Sequence, residues 1–363
     1  MSDGGWQSFK LLARRELTDL TTVHRSDRPW QMPLAAALAT GVPLLVAAYF
    51  DRMLDGVIAS LAGLVFLYLP PTPLHHRMVT LMACAFGMTV CYAVGLLSHL
   101  VSFGAVPLLT LTAILVTAIC RYYRLGPPGS LFFIMTAAIG AYAPGSITDA
   151  PFRLGIFVLG AIGASGIAFL YSLYILRRRP PSPVVPMPRF DFDYVWTDAI
   201  VIGLFVGLSL LLAHAFALEK AYWIPVSCLA VMQGMSIRAA WNRQVHRILG
   251  TSIGLVLTWA LLQASTDRWA IAGTLILLTF LIETAVVRHY GFAAIFITPL
   301  TILLAEAPTL GHSEVELLMQ ARFLDTVLGA LIGFAGAACL HNTALRLRIG
   351  GAIRHFLPVF SRD

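Results

Sequence analysis

The stretch Arg153–Leu176, RLGIFVLGAIGASGIAFLYSLYIL, decides the fold. After its opening arginine it runs 23 residues without a charge, and Arg177, Arg178 and Arg179 close it. At ~1.5 Å per residue a helix of that length spans ~34 Å, enough to cross the ~30 Å hydrocarbon core of a bilayer. In lipid every backbone N–H and C=O must be bonded within the segment, so the stretch reads as a helix. Similar stretches recur from Met32 to Leu340. Hydrophobic residues make up 58% of the 363 positions and charged residues 12%. Soluble globular chains carry roughly 45–50% and about 25%. The sequence therefore predicts an all-α membrane protein working inside the bilayer, with no sizeable soluble domain.

Counted along the chain, the spans are Met32–Phe50, Met53–Leu69, Met78–Leu97, Phe103–Cys120, Leu131–Ala143 and Leu154–Leu176, then Ala199–Leu218, Tyr222–Ile237, Ile248–Leu262, Trp269–Val287, Gly291–Ala305 and Phe323–Leu340. With twelve spans, twenty of the 25 Lys and Arg residues fall on the side of both termini. Arg52, Arg153, Lys220, Arg268 and Arg322 fall on the other. Positive charge is retained in the cytoplasm, so both termini are expected there. Insertion thus explains the net charge of +7, and no nucleic-acid partner is implied. The polar start, Met1–Arg28, lacks a cleavable apolar core and reads as retained. The expected organisation is a cytoplasmic segment over 1–30, a first six-helix half over 31–177, a Pro-rich cytoplasmic linker over 178–197, a second half over 198–342 and a basic cytoplasmic tail over 343–363. The five cysteines lie in or at the ends of apolar stretches and suggest packing residues, not disulfides.

The chain repeats itself. RLGIFVLGAIG from Arg153 matches RFLDTVLGALIG from Arg322 at a shift of 169. GSLFFIMT from Gly129 matches GFAAIFIT from Gly291 at 162. Each half holds an even number of spans, so both enter the membrane from the same side. The expectation is a parallel repeat with a pseudo-twofold axis along the membrane normal.

The segment Tyr222–Gly254, YWIPVSCLAVMQGMSIRAAWNRQVHRILGTSIG, holds an aromatic-Trp-x-Pro start (Tyr222, Trp223, Pro225). Gln233, a basic loop and Arg-x-x-Gly-Thr-x-x-Gly (Arg247, Gly250, Thr251, Gly254) follow. This resembles the fusaric acid resistance protein family, also called the aromatic acid exporter family. The first half resembles it weakly: Arg77 fits the loop arginine, but Leu54-Asp55-Gly56 stands where the aromatic-Trp pair would be. The family's long cytoplasmic domains are missing. The resemblance implies efflux of aromatic or other organic acids across a bacterial inner membrane, often alongside a periplasmic adaptor protein and an outer-membrane channel. The plant aluminium-activated malate transporters, which are anion channels, look like distant relatives.

Several residues carry two readings. Arg238, Arg243 and Arg247 sit in an expected basic connector, either a positive-inside anchor or a cytoplasmic funnel for carboxylates. Gly250, Thr251 and Gly254 read as packing or as substrate contacts. Pro225 is a helix-start proline or, in a longer helix, a break that frees a carbonyl. Gly329 and Gly333 form a Gly-xxx-Gly pair expected at a crossing between the halves. Glu283 is expected to pair with Arg288, and Asp325 with Arg322 three residues before it. Each carboxylate could also serve coupling, because an intramembrane acid is costly. Arg153 and Arg322 oppose the positive-inside bias at matching places. They are either snorkelling anchors or a facing pair that binds a carboxylate anion by planar forks.

No His-Glu-x-x-His and no Gly-x4-Gly-Lys-Ser/Thr occurs, which argues against zinc hydrolysis and an intrinsic ATPase. Asp191-Phe192-Asp193 lacks the soluble nucleotide-sugar domain that a glycosyltransferase needs. The expectation is no enzyme, no cofactor and no metal. Three function classes remain: a gradient-driven exporter, an organic-anion channel of the same fold, and an envelope scaffold that transports nothing.

Overall fold

A computed structural model describes residues 18, 21–100, 105–143, 145–186, 191–216, 218, 222–264, 267–306 and 315–356. The first half holds α1 (Gln31–Phe50), α2 (Met53–Gly63, extended by a 3-10 turn, Leu64–Tyr68), α3 (Leu74–Leu97), α4 (Ala105–Tyr122), α5 (Leu131–Ala141) and α6 (Ala150–Leu176). The second holds α7 (Asp198–Ala215, entered through a π turn, Asp193–Thr197), α8 (Trp223–Met232), α9 (Ile237–Ala264), α10 (Arg268–Ala285), α11 (Tyr290–Glu306) and α12 (Val315–His341). A last helix, α13, covers Thr343–Phe356. Among the described residues there is no strand.

Eight of these helices are long and apolar enough to cross a membrane: α1, α3, α4, α6, α7, α9, α10 and α12. The chain is a multi-pass membrane protein. Four more, α2, α5, α8 and α11, are apolar but shorter. They are the second and fifth helix of each half.

Local chemistry sets the helix ends. Asp51 closes α1 in a left-handed conformation with φ of 58°. Asp267 caps α10, its carboxylate accepting from the backbone N–H groups of Trp269 and Ala270 at 2.8 Å. Pro225 is the third residue of α8, where a helical N–H has no partner to lose, so of its two readings the helix-start one holds.

Short helices pack on long ones through small residues. Helix α2 lies on α6, where a Cβ on Gly160 would strike the backbone of Ala59. Helix α8 lies on α12, where Gly329 faces the carbonyl of Ile224 and Gly333 that of Cys228. The Gly329–Gly333 crossing therefore falls within the second half, not between the halves. Its closest neighbour is the short helix six places after α2. Helix α3 likewise lies on α5 and α9 on α11. Between the halves, α1 packs on α10 and α4 on α7. Gly41 of α1 receives Ile276, and Gly203 of α7 receives Ile114.

Each of these two junctions ends in an ion pair. At α4–α7, Arg121 Nη1 lies 3.2 Å from Asp198 Oδ2, and Arg346 of α13 takes Oδ1 at 3.1 Å. At α1–α10, Arg28 Nη1 lies 3.0 Å from Glu283 Oε2. The partner of Glu283 is thus Arg28, which corrects the expected pairing with Arg288. The backbone carbonyl of Arg288 instead accepts from the N–H of His24. An arginine 255 positions away along the chain is brought beside Glu283 because α1 packs on α10.

Candidate functional site

Helix α12 carries Arg322 and Asp325 inward, three residues apart. Arg322 is 3% exposed and Asp325 1%. The first turn of α8 meets them: the Arg322 guanidinium carbon stands 4.1 Å from the centre of a Trp223 ring. A guanidinium over an indole face is attracted by the ring quadrupole, by ~2 kcal/mol or more when water is excluded. Trp223, Arg322, Asp325, Thr301 and Ala305 line one small pocket. Nε and Nη1 of Arg322 are buried with no hydrogen-bond partner among the described residues, and so are both carboxylate oxygens of Asp325. The expected closed Arg322–Asp325 pair is therefore not made through these atoms. Buried charged groups without partners are costly, and a site that keeps them has bonding capacity to offer.

Two more arginines meet α8. Helix α9 starts at Ile237, so Arg238, Arg243 and Arg247 lie in a helix, a correction to the connector expected there. Arg247 is 4% exposed. It donates from Nη2 to Ser227 Oγ at 3.0 Å and from Nη1 to the Tyr290 hydroxyl at 3.1 Å, while Nε has no partner among the described residues. Arg243 donates from Nη1 to the Ala230 carbonyl at 3.1 Å and to Gln233 Oε1 at 3.5 Å. Its guanidinium carbon lies 5.4 Å from the Tyr290 ring centre. Gln233 in turn donates to the carbonyl of Pro128 in the first half at 2.8 Å. Arg238 is exposed near the start of α9.

Arg153 sits in different company. Its nearest carboxylate is Asp149, one turn earlier, at 4.0 Å, and it packs against Gly145. Arg153 and Arg322 thus have separate partners. Tyr142 and Tyr222 connect their neighbourhoods, with ring centres 6.2 Å apart. Gly250 and Gly254 face Ala294 and the Ile295 carbonyl of α11, and Thr251 meets Thr298 at 3.4 Å. Gly250 and Gly254 so allow the close α9–α11 packing. Among the described residues no group of three or more His, Cys, Asp or Glu is placed to hold a metal.

Ser227, Tyr290 and Arg28 are among the contacting residues the sequence analysis did not single out. Tyr290 had a visible signal, since RHYGF from Arg288 resembles RYYRLG from Arg121. Ser227 and Arg28 had none.

Comparison with known proteins covers the same region. Residues 208–336, which include α8, α9, α11 and Arg322, match the family model described as fusaric acid resistance protein-like. An uncharacterized membrane protein of Bacillus subtilis, YvaC, is 20% identical over 93% of this chain and 77% of its own length. An uncharacterized protein of Escherichia coli, YhfK, is 29% identical over 38% of this chain and 19% of its own length. One of Neisseria gonorrhoeae, ORF2, is 29% identical over 40% and 34%. No solved structure matches. Residues 208–336 are thus similar to the fusaric acid resistance protein-like family, and nearly the whole chain is similar to a bacterial membrane protein.

Proposed function

We propose that this chain is a bacterial inner-membrane transporter that exports organic carboxylic acids, aromatic ones among them, on an ion gradient. The observation that carries the reading is Arg322: a guanidinium 3% exposed, stacked on Trp223, with two nitrogens unpartnered beside an unpartnered Asp325. A planar fork of donors in a buried pocket suits a carboxylate, and Trp223 offers an apolar wall to the rest of the acid. Asp325 can take a proton as the acid arrives, which suits a coupled carrier better than a passive pore.

The reading includes twelve crossings in two six-helix halves about a pseudo-twofold axis, with both termini cytoplasmic. Helix order and packing support it. Long, short, long, long, short, long occurs twice, and each named contact within the first half has its counterpart six helices later. A shift of 162 turns the contact Gly203–Ile114 into Gly41–Ile276, with the halves exchanged. A periplasmic adaptor and an outer-membrane channel are part of the proposal, on the family resemblance alone.

Efflux of benzoate from proteoliposomes under a pH gradient tests the reading. Hydrogen bonds to charged groups contribute ~1.5–3 kcal/mol, so Arg322→Ala should cost at least about tenfold in flux at matched incorporation. Arg322→Lys should recover only part, since lysine keeps the charge and loses the fork. Wild-type flux equal to that of empty vesicles would sink the transporter reading in favour of a scaffold. Flux indifferent to the pH gradient would favour a channel.

A further inference from the structure

The partners of Arg322, Arg247 and Arg243 are spaced along one short helix. Trp223, Ser227 and Ala230 of α8 follow at steps of four and three, with Gln233 three further on. Residues at such steps share a helix face. From Trp223 to Ala230 the rise is ~10 Å, and to Gln233 ~15 Å. Three guanidiniums contributed by α9 and α12 therefore stand about one helical turn apart along a single face of α8.

Their charge is nearly uncompensated. Among the described residues no carboxylate lies within ion-pairing distance of any of the three, and Asp325 is the acid at the Arg322 end. Arg247 and Arg322 are both more than nine-tenths buried with unpartnered donors. Buried cations in a membrane protein normally pair or face a substrate path. Tyr290 touches two of them, its hydroxyl accepting from Arg247 and its ring lying under Arg243.

The first half has no such series. At shifts of 169–170 the positions of Trp223, Ser227 and Arg243 are held by Leu54, Ile58 and Pro73. Arg77 stands at the place of Arg247, but its Nε donates to the Thr72 carbonyl at 2.6 Å, beside its own helix start. The two halves share a scaffold and differ in chemistry.

We propose that anions cross through the second half alone, handed along α8 from Arg243 to Arg247 to Arg322, with Tyr290 positioning the first two. Each arginine offers the next site before the last is fully released, so no anion is stranded in a low-dielectric gap of a whole membrane thickness. Asp325 at the end of the series competes for Arg322 and so favours release. The proposal rests on the transporter reading and extends it to a route.

The test uses the full chain with benzoate as probe, read in two ways: flux in proteoliposomes, and quenching of tryptophan fluorescence in detergent with Trp223→Phe as the spectral control. Arg243→Gln, Arg247→Gln and Arg322→Gln should each lower flux at least about tenfold. Arg268→Gln, at the α10 start beside Asp51, serves as a charge-loss control and should transport as wild type. Tyr290→Phe keeps the ring under Arg243 and removes the bond to Arg247, so it should lower flux less than Arg247→Gln does. Should Arg247→Gln fail to fold, Arg247→Lys keeps the cation, and partial flux from a well-folded protein supports the route. Wild-type flux from Arg247→Gln overturns the route while leaving transport intact. So does a loss in Arg153→Gln as large as that in Arg247→Gln, because the path then draws on both halves. A wild-type chain that quenches with benzoate yet carries none overturns the transporter reading and the route with it. A chain that neither binds nor carries benzoate overturns both.

Discussion

Replacing Asp325 by asparagine keeps the side chain's shape and removes its charge. Both its oxygens are buried beside Arg322 with no hydrogen-bond partner among the described residues, so a packing role would survive the change. A role in coupling would not, since asparagine cannot exchange a proton. Asp325→Asn is therefore expected to keep benzoate binding within a few-fold while its flux stops responding to an imposed pH gradient, as measured in proteoliposomes at several internal pH values. A variant that follows the gradient as wild type does would place coupling elsewhere. At this scale the sequence was informative where a residue broke a rule. Arg322 and Arg153 stood out against the positive-inside bias, and Trp223 belonged to a motif. Partnerships were not legible. Nothing in the local sequence of Glu283 points to Arg28, and Arg288, the neighbour in sequence, makes its contact through its backbone. Ser227 in a run of apolar residues looks like ordinary packing until α9 places Arg247 against it.

Helices come together here at the distance that glycine allows. A Cβ on Gly333 would meet the Cys228 carbonyl, which belongs to the α8 backbone and cannot swing aside. Gly163 on α6 has nothing within 4 Å of its added Cβ. Gly333→Ala should thus destabilise the protein by ~1–3 kcal/mol through overpacking. Gly163→Ala should be neutral or stabilising by up to ~1 kcal/mol through helix propensity. Thermal unfolding in detergent reads both, and equal melting points would show that α8 and α12 are not tightly docked. Long helices were legible from hydropathy, while the start of α9 was not. Arg243, Gln244 and Arg247 depress the hydropathy of a segment in which Arg243 bonds to α8 and Arg247 to α8 and α11, and hydropathy carries no information on partners. The short helices were found as apolar stretches; the expected ends lie within two residues for α2 with its 3-10 turn, α5 and α11, and too far out for α8. Tyr222–Ile237 was expected where α8 spans Trp223–Met232.

For the whole molecule, the number of crossings fixes which loops lie on which side. Twelve crossings put Pro180, after α6, in the cytoplasm and Ser146, before it, in the periplasm. Alkaline phosphatase fused at Ser146 should be active and at Pro180 inactive, with the reverse for a cytoplasmic reporter. Equal activity at both sites would leave α6 uncrossed and break the twelve-span arrangement. Matched glycines and arginines led to the expected repeat, but the way α1–α6 meets α7–α12 was not legible, because junction contacts join α1 to α10 and α4 to α7 across the length of the chain.

Those junctions also settle which surfaces can face each other. The first six helices and the segment before them bring two cations, Arg28 and Arg121. Helices α7–α12 bring two anions, Glu283 and Asp198, the latter also held by Arg346 of α13. A half docked on its own copy would set arginine against arginine at one end of each contact, or acid against acid, and like charges so placed cost several kcal/mol. Only unlike halves attract at both. The molecule thus carries a lock-and-key polarity along its own seam, with cations on the side of α1–α6 and anions on the side of α7–α12.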